Sequence, residues 1–175
     1  MPLLTITMIL KVVSLFACLI MVSMAWQNDY DRNLEFVCPT GQSISRIQSK
    51  HHNHYEDRVW QFSCSNKGRL GHCKWFYNVN EYDGVLFFQC PNFGHIVATR
   101  SHHDNHREDR RFSFKCCAPK NVSGKSTECR FTNYVNTFDG RMDYTVPTNK
   151  YLRGAYSEHR NQQEDRIWRF EECNR

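Results

Sequence analysis

The feature that most restricts what this chain can fold into is a phrase used three times. The copies are Glu56-Asp57-Arg58-Val59-Trp60-Gln61-Phe62, Glu108-Asp109-Arg110-Arg111-Phe112-Ser113-Phe114 and Glu164-Asp165-Arg166-Ile167-Trp168-Arg169-Phe170. Each joins an acidic-acidic-Arg turn to an aromatic alternation of period two, the pattern of a half-buried strand. Self-similarity at this spacing marks a repeat architecture. More landmarks share the period. Asp31, Asp83 and Asp139 each precede the phrase's Asp by 26 residues. Ser49, Ser101 and Ser157 recur, as do His51, His103 and His159, and Asn53, Asn105 and Asn161. Cys38, Cys90 and Val146 are each followed by Pro. The step is 52 residues, then 56, and the extra residues fall near Asn121-Val122-Ser123-Gly124, a loop composition.

Residues 1–25 stand outside the repeats. Lys11, the apolar run Val12 to Ala25 and the small residues of Ser23-Met24-Ala25 read as a secretory signal peptide with its cleavage site. A retained membrane anchor is the alternative. Residues 26–175 then form a single domain of 150 residues with net charge +4, since only Lys11 leaves the total of +5. Its repeats span about 27–72, 73–128 and 129–175. No later apolar run is long enough to insert into a bilayer. Within each repeat, short stretches such as Leu34–Cys38, Ile44–Ile47, Val59–Cys64 and Lys74–Val79 read as strands, and nothing sustains a helical period. The expected fold is all-β, with three pseudo-symmetric repeats of about four short strands. It is β-prism-like, with a β-trefoil as the alternative.

Cys18 leaves with the leader, and eight of the nine cysteines remain, an even number in a secreted chain. Cys38 to Cys64 and Cys90 to Cys116 are both 26 residues; Cys73 to Cys117 and Cys129 to Cys173 are both 44. Where one member lacks its counterpart, as at Val146 and Glu172, the other lacks it too. The expected disulfides are therefore Cys38–Cys64, Cys73–Cys117, Cys90–Cys116 and Cys129–Cys173. Neighbours Cys116 and Cys117 point to opposite faces of a strand and suit two different bridges.

The Glu-Asp-Arg turns have a structural reading: Asp accepts backbone N–H groups and Arg forks onto a carboxylate. The other reading is three symmetric carbohydrate sites built from Asp, Arg and Trp. His51, His52, His54, His102, His103 and His106 could share a metal, but no ligand spacing supports one. They read as a solvated loop, with no metal or other cofactor. Arg100, Arg107, Arg111, Lys115, Lys120 and Lys125 form a basic cluster suited to polyanions, which outside the cell means sulfated glycosaminoglycans and not nucleic acid. Arg110 is excluded because it belongs to the repeated turn. Asn121-Val122-Ser123 is an N-glycosylation acceptor at Asn121. Tyr30 and Tyr82 lie beside acidic residues and are candidates for sulfation. No catalytic constellation emerges, so the chain does not read as an enzyme.

Cys38-Pro39-Thr40-Gly41, the thrice-used Asp-Arg-x-aromatic-x-aromatic unit, the Cys116-Cys117 doublet and Tyr151-Leu152-Arg153-Gly154-Ala155 together resemble the dermatopontin family over nearly all of the mature chain. The resemblance implies a secreted extracellular-matrix protein that binds proteoglycans through dermatan sulfate, associates with collagen and growth factor, and supports cell adhesion through cell-surface receptors. It also implies invertebrate relatives that are agglutinins or shell-matrix proteins. The chain departs from the family's vertebrate members in lacking their acidic, tyrosine-rich tail. The expected function is adhesion through sulfated glycosaminoglycans, with a soluble defence agglutinin or a biomineral matrix protein as alternatives. The sequence does not specify an oligomeric state.

Overall fold

A computed structural model describes residues 25–120 and 128–175. The expected signal peptide up to Met24, the glycosylation acceptor Asn121 and Lys125 of the basic cluster lie outside the described residues. Among the described residues there are eleven strands: β1 (Leu34–Val37), β2 (Ser43–His52), β3 (Asp57–Ser65), β4 (Leu70–Phe76), β5 (Leu86–Gln89), β6 (His95–Asp104), β7 (Asp109–Pro119), β8 (Cys129–Phe131), β9 (Met142–Thr145), β10 (Lys150–Arg160) and β11 (Asp165–Asn174). Among the described residues the only other regular element is a 3-10 turn at Pro91–Phe93.

The strands form three separate antiparallel sheets, ordered β1-β6-β7-β4, β5-β10-β11-β8 and β3-β2-β9. Each is built on one long hairpin: β2–β3, β6–β7 or β10–β11. The strand laid along the other side of each hairpin comes from elsewhere in the chain. β1 joins β6, β5 joins β10, and β9 returns to join β2. The central strands β2, β6 and β10 touch one another pairwise, so the sheets stand as the faces of a prism.

The expected strand Ile44–Ile47 is the inner part of a ten-residue β2. Sequence alternation underestimates it for two reasons. A bulge between Ile44 and Arg46 places both Ile44 and Ile47 inward, and the next inward residues, Ser49 and His51, are polar. The same irregularity recurs between Ile96 and Ala98 and between Leu152 and Gly154. At Gly154, strand β5 passes so close that a Cβ would lie 2.6 Å from the Phe88 carbonyl oxygen, so only glycine fits.

The core is aromatic. Trp60, Phe112 and Trp168 are 2–3% exposed and meet edge-to-face, with centroids 5.8, 5.4 and 4.9 Å apart. Phe62, Phe114 and Phe170 stack beneath them. Four disulfides staple the sheets: Cys38–Cys64, Cys73–Cys117, Cys90–Cys116 and Cys129–Cys173. Cys116 faces the main core, while Cys117 belongs to a smaller outer cluster with Val97, Ala98, Cys73 and Trp75.

Candidate functional site

The repeated turns come first, because they decide which end of the molecule is open. Each long hairpin closes through a four-residue loop, 53–56, 105–108 or 161–164, whose third residue donates its backbone N–H to the last residue of the preceding strand: Tyr55 to His52 O, Arg107 to Asp104 O and Gln163 to Arg160 O. Glu56, Glu108 and Glu164 end these loops at φ of 45°, 42° and 43°, a left-handed conformation uncommon for Glu. The following Asp and Arg turn inward.

Each Arg reaches a neighbouring hairpin's Asp. Arg58 forks onto Asp165 at 2.6 and 2.7 Å, Arg110 onto Asp57 at 2.6 and 2.6 Å, and Arg166 onto Asp109 at 2.6 and 2.6 Å. The three forks close a ring. Each Asp also accepts the N–H of the Asp lying 26 residues before it: Asp31, Asp83 or Asp139. Buried Asn28, Asn80 and Asn136 complete the joints. Each donates to the backbone of Arg58, Arg110 or Arg166 and accepts from Trp60, Phe112 or Trp168. Every ring Asp and Arg is 3–4% exposed and the aromatics are sealed. These residues therefore hold sheets together and offer no surface on which a sugar could stack.

The histidines correct the sequence reading. His51 and His103 lie on β2 and β6, not in a loop, and their side chains are 1% exposed. His159 on β10 is equally enclosed, at 0%. His52, His54 and His106 are exposed. Burial lifts the carboxyls of Glu108 and Glu164 above the usual range, and the other loop-end glutamate, Glu56, adds to the effect in both.

The basic cluster divides. Arg100, Arg111 and Lys115 share the outer face of the β1-β6-β7-β4 sheet, since Ala98 pairs with Lys115, Arg100 with Ser113 and His102 with Arg111. Arg100 lies 4.5 Å over the Trp75 ring and 2.5 Å from Glu35. Arg111 is 2.9 Å from Glu81. Arg107 sits in the hairpin loop, 3.5 Å from Asp83. Lys120 follows β7 and is exposed. Three of the cluster's arginines thus face carboxylates that a count of positive residues overlooks. Beside Arg100 runs an open groove lined by Glu35, Tyr77, His102 and Ser113.

Sequence reasoning missed a second outer face. On the β5-β10-β11-β8 sheet, Arg169 lies 5.7–6.0 Å from the rings of Phe131, Tyr134 and Tyr156. Phe87, 59% exposed, packs against Phe131 and Tyr156. Glu158 accepts from Tyr134 and Tyr156, and this pushes the Tyr134 hydroxyl up to about 12. The available signal was alternation: Ile167 and Arg169 point outward wherever Trp168 and Phe170 point inward.

Antiparallel sheets stapled by four disulfides, with arginine-on-aromatic outer faces, define an all-β, disulfide-bonded class of protein. Residues 28–175 match the model of the dermatopontin family, and the chain belongs to that family. It is 44% identical over 151 residues to the hemagglutinin/amebocyte aggregation factor of Limulus polyphemus, covering 86% of this chain and 88% of that one. It is 37% identical to dermatopontin of Biomphalaria glabrata, covering 79% and 93%. It is 38% identical to Millepora cytotoxin-1 of Millepora dichotoma, covering 83% of this chain and 65% of the relative. No solved structure matches.

Proposed function

We propose that the protein is a secreted, non-enzymatic adhesion protein of the extracellular matrix that binds sulfated glycosaminoglycans on the outer face of the β1-β6-β7-β4 sheet. The observation that carries this reading is Arg100 laid over Trp75 beside an open groove, with Lys115 paired across from Trp75. An aromatic face holds a pyranose ring, and flanking cations hold its sulfates. Lys115 forms no ion pair among the described residues, which leaves its charge available. Proteoglycans are the natural partners, and the four disulfides suit an oxidising compartment.

The test is retention on immobilised heparin and dermatan sulfate under a salt gradient. Lys115→Glu with Arg107→Glu should move elution to clearly lower salt, because short-range contacts with a polyanion are screened within about 8 Å at physiological ionic strength. Unchanged elution of this double variant, or no retention of the unaltered protein in low salt, rejects the sulfated-glycan reading. A second reading, an agglutinin for uncharged sugars, is favoured by Phe87, Tyr134 and Tyr156 with Glu158 on the other sheet. Inhibition of cell agglutination by simple sugars, lost on Phe87→Ala, would support it.

A further inference from the structure

The end of the prism that carries the three hairpin loops holds a set of polar groups that the Arg–Asp ring leaves unsatisfied. His103 Nδ1 lies 3.7 Å from Asp31 Oδ1, and its Nε2 lies 3.6 Å from Glu108 Oε2 and 3.9 Å from Asp57 Oδ1. His159 stands in the same way 3.7 Å from Asp83 and 3.6 Å from Glu164. His51 stands 3.4 Å from Asp139. Both ring nitrogens of His51 and of His159 make no hydrogen bond, nor does His103 Nε2. Asp31 Oδ1 and Asp83 Oδ1 are likewise without one. His103 Nδ1 has a 3.4 Å contact with Asn105 Oδ1, so two of the three buried imidazoles are wholly unpartnered and the third half so, a costly condition for each.

We infer that these groups form three equivalent sites for a divalent transition metal of the zinc type. They are Asp31, Asp57 and His103; Asp83, Asp109 and His159; and Asp139, Asp165 and His51. Within each site one ligand atom per residue lies within 4.8 Å of the others. The 3.6–3.9 Å separations are too long for hydrogen bonds, and His51 Nδ1, 3.4 Å from Asp139, makes none. Zinc bonded at about 2.0–2.1 Å in tetrahedral geometry sets its ligands about 3.4 Å apart, so ligand atoms that now lie within 4.8 Å of one another would draw together by up to about 1.4 Å. Imidazole with carboxylate is a donor set suited to that class of ion.

The lone-pair count agrees. Asp57 Oδ2 already accepts from Arg110 and from the Asp31 N–H, but Oδ1 accepts from Arg110 alone. A carboxylate oxygen has two acceptor positions, so Oδ1 keeps one free. Asp109 and Asp165 are arranged in the same way. Charge agrees as well: around His103, the carboxylates of Asp31, Asp57 and Glu108 face one guanidinium, leaving a formal −2 that a divalent ion neutralises. The histidines present in all three copies are the enclosed ones, while exposed His54 and His106 share a register in two copies only and exposed His52 stands in one.

The experiment is zinc uptake by the disulfide-bonded mature chain, measured by equilibrium dialysis with elemental analysis and by thermal unfolding with and without zinc. The expected result is saturable uptake approaching one ion per site, with a rise in melting temperature that a chelator reverses. Asp31→Asn, Asp83→Asn and Asp139→Asn should each remove one equivalent. Those positions have φ of 58–60°, which Asn accepts readily, and their backbone N–H bonds survive the change, so the fold should be retained. No uptake from micromolar zinc overturns the inference. So does uptake that persists in the triple Asn variant and disappears on replacing exposed His52, His54 and His106.

Discussion

Replacing Arg110 by Ala opens the ring at one of its joints. Asp57 would lose two of its three accepted hydrogen bonds and keep only the Asp31 N–H. The Arg32 carbonyl and the Ser101 hydroxyl would lose their donor as well. Both charged side chains are at most 4% exposed, so water cannot replace the guanidinium without a rearrangement. Removing one partner of such a buried pair costs about 3–5 kcal/mol. In a domain of this size that corresponds to a fall in melting temperature of roughly 6–20 °C. Arg110→Lys keeps the charge but not the planar fork, and should recover only part of the loss. Urea unfolding with disulfides intact, followed by the fluorescence of Trp60 and Trp168 beside the ring, measures the difference. Arg58→Ala and Arg166→Ala should cost similar amounts, because their forks are as short and as buried. A double-mutant cycle with Asp57→Asn should give a coupling of about 1–3 kcal/mol. A loss under about 1 kcal/mol for Arg110→Ala, or a coupling indistinguishable from zero, would refute the claim that the ring holds the sheets together.

Two further outcomes follow from the core. Trp60→Ala should cost about 3–5 kcal/mol in the same unfolding assay, since its ring contacts Phe112 and Trp168 and leaves a cavity at their meeting point. Burial of His95, stacked 3.7 Å from Tyr151, pushes its imidazole down to about 4 from an ordinary 6.5. The unfolded chain therefore binds a proton that the folded chain refuses. The stability contribution is complete above pH 6.5 and about 3 kcal/mol of it is lost as pH falls to 4. His95→Gln should flatten that part of the stability–pH profile, and an unchanged slope would count against the assignment.

The repeated phrase made the all-β class, the inward aromatics and the Asp–Arg pairing type legible, because period-two alternation and fork geometry are local properties. Which Arg meets which Asp was not legible. Arg110 passes over its own neighbour Asp109 and takes Asp57, a choice made by the packing of one hairpin beside another. His51 and His103 were read as solvated because they stand among exposed histidines; their inward direction depends on the bulge upstream in each strand. The basic cluster looked freer in sequence than in space, since Glu35 and Glu81 reach it from other strands. Trp75 and Phe131 gave no local sign that each would lie beneath an arginine from a different strand.

The exchange of flanking strands bears on how the chain can be made. As it emerges from the ribosome, the β2–β3 hairpin has one long side with nothing to pair with. Its partner, β9, is synthesised roughly a hundred residues later, and Arg46 meets Asp143 only then. The first hairpin made is thus among the last to be completed, and pairing across so long a stretch of chain is slow. Until then, β2 exposes a ladder of backbone donors and acceptors to every other nascent chain nearby, a hazard for self-association. A truncated chain ending before Met142 would carry that open edge permanently, so shortened forms should aggregate and not fold into a smaller prism.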